Sequence, residues 1–255
     1  MDFTDELKRL LALEYGCSEG EVGGASVHIS VCSENRGRRY SEDSGFFSMA
    51  TLGNGCLIRA DERLLPFLRE FAAHEVPAHF LFTAERLAEL DRELGRFGYT
   101  LNGAHHMFLP KHSVELPRKF GIQRLEGLAE FDRFYGDKRF VNALCDKYRP
   151  ERPDVIALAA MDGDNIMGMA GASRDFNGTP SWLQIGIDVL TEYRGKGVGS
   201  FLVNELKSII LEGGDIPFYG TAPANIHSQN IAINCGFCPS WVEISVKKQG
   251  EDHGR

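Results

Sequence analysis

The stretch Asp188-Val-Leu-Thr-Glu-Tyr-Arg-Gly-Lys-Gly-Val-Gly-Ser200 places glycines at 195, 197 and 199 among two cations, Arg194 and Lys196. An apolar, strand-like run precedes it and a helical pattern follows from Gly199. The first N–H groups of a helix have no intrahelical partner and lie at the positive end of the macrodipole, so a helix start favours phosphate. Glycines that reach φ > 0 let successive N–H groups converge on an anion and let a ligand approach the backbone closely. The expected chemistry is the binding of a phosphorylated ligand. Two well-known phosphate loops do not fit. The dinucleotide fingerprint needs G-x-G-x-x-G and a later acidic residue after a strand, and the Walker loop needs its lysine after the last glycine, whereas Lys196 lies inside the loop. A ligand-free glycine turn is the remaining alternative, and the two cations and the helix start weigh against it.

Other residue pairs invite chemistry and carry less. Cys235-Gly-Phe-Cys238 has the C-x-x-C form, but no second ligand pair stands at matching spacing, so packing is the expected role and no metal is expected. His105 and His106 fall in a strand, where successive side chains face opposite sides, which disfavours one metal site using both. Trp182 and Trp241 are expected to pack against a sheet.

These residues need elements to hold them. Trp182–Val189 reads as a continuous apolar strand, Gly199–Leu211 as a helix ended by Gly213-Gly214, Ile216–Thr221 as a strand, Ser228–Cys235 as a helix ended by Gly236, and Trp241–Val246 as a last strand. Upstream, Gly121–Leu125 is strand-like, Glu126–Tyr148 carries one or two helices, and Val155–Met161 and Ile166–Ala172 flank a turn at Asp162-Gly-Asp-Asn165. Before the proline-bracketed segment 109–117 come a strand at Ser26–Val31, a hairpin over Phe46–Ala60 turning at Gly53-Asn-Gly55, and a helix through Leu64–Phe71. A strand at Ala78–Phe82, a helix at Ala84–Phe97 and a strand at Tyr99–Leu109 follow. Alternating strands and helices point to an α/β (α+β) fold. The prolines suggest a junction, giving an N-terminal α/β accessory domain over 1–115 and a second domain over 116–255.

The 255 residues, 43% hydrophobic and 25% charged, have globular composition. A net charge of −8 argues against nucleic acid or anionic lipid as bulk partners. No apolar run reaches the ~18 residues of a membrane span, and the start lacks a signal-peptide pattern. Six cysteines in a chain this long fit a reducing, cytoplasmic setting.

Arg194-Gly-Lys-Gly197-Val-Gly199 resembles the Q/R-x-x-G-x-G/A signature of the GNAT superfamily of acyl-CoA-dependent N-acyltransferases. A strand follows, then Asn225-Ile-His-Ser228, a helix and Cys235-Gly-Phe237, which resembles that family's N-x-x-S/A…G-F element. The resemblance covers roughly residues 120–246. It implies a mixed, mostly antiparallel sheet with helices on both faces, acetyl-CoA as cosubstrate and an amine-bearing acceptor. It also implies direct transfer of an acetyl group to a primary amine, an activity of the acyltransferase class. By position it assigns cofactor contacts to Gly186, Ile187, Asp188 and Val189 on the strand. It assigns others to Arg194, Gly195, Lys196, Gly197, Val198 and Gly199 in the loop, and to Asn225 and Ser228 beyond. The oxyanion donor is expected at the Val189 backbone N–H, where the family's central strand splays from its neighbour.

Direct transfer also needs a base and an acid. The tyrosine that many members carry seven residues after the asparagine is Ala232 here, which leaves the acid unassigned and keeps a non-catalytic acyl-CoA sensor, or an interaction module, as rival readings. Asp188 is the best side-chain candidate for a base; the alternative is an aspartate satisfied by backbone donors or exposed at the strand's end. His227 is either a proton relay or an exposed loop histidine, and Ser228 is expected to cap its helix. The hairpin, helix, strand, helix, strand order of the N-terminal half matches the later half of such a domain. Ala60-Asp-Glu-Arg-Leu64, however, offers no glycine and two acids where a pyrophosphate would sit, so that half reads either as a degenerate copy or as an unrelated α/β domain.

Overall fold

The computed structural model describes residues 1–32, 37–38, 45–73, 77–117 and 119–250. In chain order the elements are α1 (Thr4–Tyr15), α2 (Glu19–Val22), β1 (Val27–Val31), β2 (Phe47–Thr51), β3 (Cys56–Ala60), α3 (Leu65–Ala72), α4 (Ala84–Gly95), β4 (Tyr99–Pro110), β5 (Gly121–Glu126) and α5 (Leu128–Phe131). They continue with β6 (Asp154–Asp162), β7 (Asn165–Phe176), β8 (Trp182–Val189), α6 (Val198–Glu212), β9 (Ile216–Thr221), α7 (Ile226–Asn234) and β10 (Phe237–Lys248). The chain divides into two compact units, one of Phe108–Pro239 with Met1, the other of Asp2–Met107 with the chain from Ser240.

In the unit of Phe108–Pro239 the strands run in the order β9-β8-β7-β6-β5, with β8 parallel to β9 and antiparallel to β7, and β5, β6 and β7 antiparallel throughout. Both faces of its central strands are covered, which is why they read as unbroken apolar runs. Ile156, Leu158 and Ala160 of β6 pack with Phe201, Leu202 and Leu206 of α6. The alternate residues Ala157 and Ala159 pack with Phe131, Phe140 and Leu144 on the other face. That second face explains a departure from the sequence reading, which placed one or two helices over Glu126–Tyr148. Only the single turn of α5 forms, and the chain then crosses the sheet in turns. Gly171 and Gly186 are cross-strand partners. A Cβ on Gly186 would lie 1.7 Å from the Asn142 carbonyl oxygen, and one on Gly171 would lie 1.9 Å from that of Ala143. The paired glycines form a floor on which the Asn142–Ala143 backbone lies directly.

In the other unit the order is β1-β3-β2-β10-β4. The hairpin β2–β3 turns through Gly53 at φ +106°, as expected from Gly53-Asn-Gly55. Ala78–Phe82 is a 3₁₀ helix, not the expected strand: Pro77 starts it, and the N–H of Phe80 reaches the Pro77 carbonyl at 3.1 Å. The parallel neighbour of β3 comes instead from β1. β3 is thus parallel to β1 and antiparallel to β2, and β2 is antiparallel to β10, the same sequence of pairings that β8 makes with β9 and β7, and β7 with β6. Helix α1, which the sequence reading left out, buries Leu7, Leu10, Leu11 and Tyr15 along one side. Its Glu14 is paired with the buried guanidinium of Arg38 at 2.9 Å, and Arg38 also reaches Glu243 of β10 at 2.6 Å. Burial raises the pKa of Glu14, and the Arg38 charge opposes that rise.

Gly186→Ala and Gly171→Ala are each expected to destabilise the fold by about 1–3 kcal/mol or more, because a backbone carbonyl cannot yield as a side-chain tip can. Gly163→Ala, at φ +58° with open space around its Cβ, should cost only the left-handed strain of about 1–2 kcal/mol. Urea unfolding measures the losses, and native-state hydrogen exchange should show the Asn142 and Ala143 amides opening faster in the first two variants and unchanged in the third.

Candidate functional site

Strand β8 pairs with β9 only from Trp182↔Ile216 to Ile185↔Tyr219. It continues to Val189 against β7 alone, with Gly186 opposite Gly171 and Val189 opposite Gly168. Over Gly186, Ile187, Asp188 and Val189, all half-buried, the edge that faced β9 is therefore open. An open strand edge presents N–H and C=O groups to any extended partner.

The chain leaves that edge through a 3₁₀ turn at Thr191–Tyr193 and enters the glycine loop. Arg194, Gly195, Lys196 and Gly197 are all exposed. Gly195 has φ +72° and Gly197 has φ +85°, and a Cβ on either would meet nothing within 4 Å, so conformation rather than crowding requires glycine at both. Gly197 is the N-cap of α6, and no side chain caps that helix. The first N–H groups, those of Val198, Gly199 and Ser200, have no intrahelical acceptor. Arg194 Nε donates to the Val189 carbonyl at 3.0 Å, and Lys196 Nζ lies 5.2 Å from the centre of the Tyr193 ring. The site thus joins an exposed glycine loop with two cations to helix-start N–H groups that lack intrahelical acceptors, continuous with an open strand edge.

Two loop residues differ from the sequence reading. Gly199 has no positive φ. It lies inside α6, where a Cβ would stand 3.0 Å from Ile231 Cδ1 and 3.4 Å from Val189 Cγ2, so it serves the close packing of α6 on α7 and β8. The Val198 side chain is buried in the core, which leaves its backbone as the part available to a ligand.

Asp188 meets the second of its two expected descriptions. Its carboxylate accepts from the Asn142 N–H at 2.8 Å, the Asn142 side-chain amide at 2.6 Å and the Ala143 N–H at 3.0 Å. Both oxygens are engaged in holding the segment that lies on the glycine floor. Asp154 receives the next free N–H of that segment, from Cys145 at 3.2 Å, together with the Ser173 hydroxyl at 3.0 Å. Burial raises the Asp154 pKa, and the Cys145 N–H works against that rise.

At α7 the expected capping role passes from Ser228 to Asn225, whose side-chain oxygen accepts the Ser228 N–H at 3.2 Å. The Ser228 hydroxyl is bonded instead to Tyr219 Oη at 2.7 Å. Burial pushes the Tyr219 phenol up to about 12, and the nearby Asp188 charge adds to the rise. His227 is exposed. Ala232 is wholly buried in the cluster that holds Tyr219, Cys235 and Phe237, so no space waits there for a larger side chain. Neither Cys235 nor Cys238 is in a disulfide, and Cys235 donates to the Ser200 carbonyl at 3.1 Å, a packing contact. Among the described residues no group of three or more His, Cys, Asp or Glu is placed to hold a metal ion. The sequence reading missed Tyr219 and Asn142. For Tyr219 a signal existed: a buried phenol needs a partner, and Ser228 offers a hydroxyl nine residues on. Asn142 had none, because its role depends on a carboxylate 46 residues away.

Residues 123–237 match the acetyltransferase (GNAT) family. No curated protein matches the chain. Among solved structures it is similar to a putative GNAT acetyltransferase from Novosphingobium aromaticivorans, at 14% identity over 60% of this chain and 68% of that one, with a TM-score of 0.47. A GNAT acetyltransferase from Colwellia psychrerythraea matches at 12% identity, 59% and 57% coverage and a TM-score of 0.44. A putative acetyltransferase from Salmonella typhimurium, solved with its cofactor acetyl-CoA, matches at 17% identity, 39% and 67% coverage and a TM-score of 0.31. The matched regions span 57% to 68% of these structures' own lengths.

Asp188→Ala should leave the Asn142 and Ala143 amides without an acceptor and cost about 1–3 kcal/mol in urea unfolding. Asp188→Asn keeps one acceptor oxygen and should fall between that variant and the wild type. A wild-type stability for Asp188→Ala would show that the clamp contributes nothing.

Proposed function

With residues 123–237 forming a GNAT acetyltransferase domain, we propose that the protein transfers an acetyl group from acetyl-CoA directly to a primary amine. The observation that carries this reading is the continuity of the open β8 edge with the exposed loop of Gly195 and Gly197 at the uncapped start of α6. An extended pantetheine arm carries amide groups that suit a strand edge, and a pyrophosphate suits free N–H groups at the positive end of a helix. The two parts of CoA would then lie along one path. Gly186, Ile187 and Val189 supply backbone to the arm, and the N–H groups from Gly197 to Ser200, with Arg194 and Lys196, supply positive charge to the phosphates.

The thioester end of that path falls at the parting of β8 from β9, beside Asn225 and Ser228. A backbone N–H near Val189 is the donor we assign to the oxyanion. Asp188 acts in this reading by positioning the Asn142–Ala143 segment next to the reacting carbonyl rather than as the base. Placing the two substrates side by side supplies much of the rate. The unit of Asp2–Met107 and the terminal strand is assigned an accessory role. Its pairing senses repeat those of the other unit in a different chain order, with a 3₁₀ turn at Ala78–Phe82 where a copy needs a strand, so the reading as a degenerate copy is not favoured. Its hairpin-to-helix turn, Ala60-Asp-Glu-Arg-Leu64, carries acids where the other carries cations. The acidic net charge suits a cationic acceptor. No helix among the described residues is long and apolar enough to cross a membrane, and a cytoplasmic setting is proposed from the cysteine usage.

Acetyl-CoA at a hundred times its Kd should stabilise the protein by about 2.7 kcal/mol, read as a rise in Tm. Gly197→Glu should abolish that rise while the protein stays folded, since the substitution strains a φ of +85° and brings a carboxylate to the phosphate position. Retained affinity in the folded variant would remove the loop from the CoA site. Binding without CoA release across a panel of amines would identify a sensor instead of an enzyme.

A further inference from the structure

Breaking the thioester leaves an electron pair on sulfur, and a positioned O–H that delivers a proton there speeds the step. Two hydroxyls meet where β8 and β9 part. Tyr219 occupies the last paired position of β9, opposite Ile185. Its Oη lies 2.7 Å from Ser228 Oγ. Ser228 and Ala232 are four residues apart on α7 and share a helix face. The Tyr219 ring, 6.2 Å from that of Phe237, belongs to the same core cluster as Ala232. The phenol thus reaches this face of α7 from β9, beside the position where α7 itself carries only a methyl group.

The two hydroxyls differ in access. Tyr219 is buried and Ser228 is half-buried, so Ser228 is the member of the pair that an entering molecule can touch. Its backbone is fixed by the Asn225 cap at 3.2 Å. Burial holds the phenol protonated, and the charge of Asp188, whose carboxylate is bonded to the Asn142–Ala143 segment, adds to that.

We propose that Ser228 is the catalytic acid for the departing thiolate and that Tyr219 is the positioning residue behind it, orienting the serine hydroxyl and restoring its proton. The proposal rests on the acetyltransferase reading. When the C–S bond breaks, its electron pair passes to sulfur. The Ser228 hydroxyl gives its proton to that sulfur and takes one from the Tyr219 phenol. The phenolate regains a proton from solvent, which receives the one the amine nitrogen loses on becoming an amide. The sum is amine plus acetyl-CoA giving acetamide plus CoA, with no other reactant.

The test uses the full chain, acetyl-CoA and an amine that supports CoA release by the wild type. Tyr219→Phe keeps the ring and removes the hydroxyl, Ser228→Ala removes the serine hydroxyl, and Ser228→Thr retains one. Tyr219→Phe and Ser228→Ala should lower kcat on the order of 10²-fold, Ser228→Thr should recover most of the loss, and calorimetry should find acetyl-CoA affinity unchanged in Tyr219→Phe. Wild-type kcat in folded Tyr219→Phe and Ser228→Ala overturns the proposal while leaving the acetyltransferase reading intact. So does a loss of acetyl-CoA affinity in Tyr219→Phe that accounts for its lost activity, or a Ser228→Thr variant as impaired as Ser228→Ala. A wild-type protein that binds acetyl-CoA and never releases CoA ends the acetyltransferase reading and the proposal together.

Discussion

The parting of β8 from β9 after the Ile185↔Tyr219 pair is the constraint around which the GNAT domain is arranged. A strand with an open edge inside a sheet exposes backbone groups that must find partners or water. The domain keeps Gly186–Val189 straight in spite of that by pairing its other edge with β7 and by covering both of its faces. Immediately downstream, the uncapped start of α6 repeats the same condition in helical form. The two sets of unsatisfied groups are joined by fewer than ten residues, which turns two local deficits into one continuous run of backbone groups.

One of those faces is held by an arrangement of small size and high density. The Gly171–Gly186 pair removes two side chains from the sheet, and the Asn142 and Ala143 carbonyls occupy the space. Asp188 then collects the N–H groups of the same two residues, and Asp154 collects that of Cys145. A helix through these residues would have turned those N–H groups inward to its own carbonyls. The carboxylates and the flat glycine floor favour the open turn, and so bring backbone up against β8 where it leaves β9. On the opposite face Gly199 does similar work, letting α6 approach β8 and α7 at close range.

The unit of Asp2–Met107 and the terminal strand uses the same pairing senses with different chain order, its parallel strand coming from before the hairpin rather than after the helix. It also contains an ionic network in which one buried guanidinium, that of Arg38, serves Glu14 and Glu243. Such a pair gives little net stability compared with an apolar replacement, but removing one partner would strand a buried charge. Its role is therefore to specify how α1 and β10 meet within that unit.

What the sequence alone determined is local. Alternating and helical apolar spacing located most strands and α3, α4, α6 and α7; the glycines of 53–55, 163 and 195–197 marked turns; and the paired motifs around Arg194–Gly199 and Asn225–Phe237 pointed to the family that residues 123–237 match, because those signals depend on residues close together in the chain. Tertiary structure decided the rest. It brought β1 beside β3 as the parallel partner, turned Gly199 from a loop glycine into a packing glycine, and left only the single turn of α5 where one or two helices were expected over Glu126–Tyr148. It also joined Ser228 to Tyr219, so that the cap expected of Ser228 falls to Asn225. Most of these outcomes depend on contacts between separate elements, such as that of the Asp188 carboxylate with Asn142, 46 residues away. Spacing along the chain carries no information about a partner that only the fold brings within hydrogen-bonding distance.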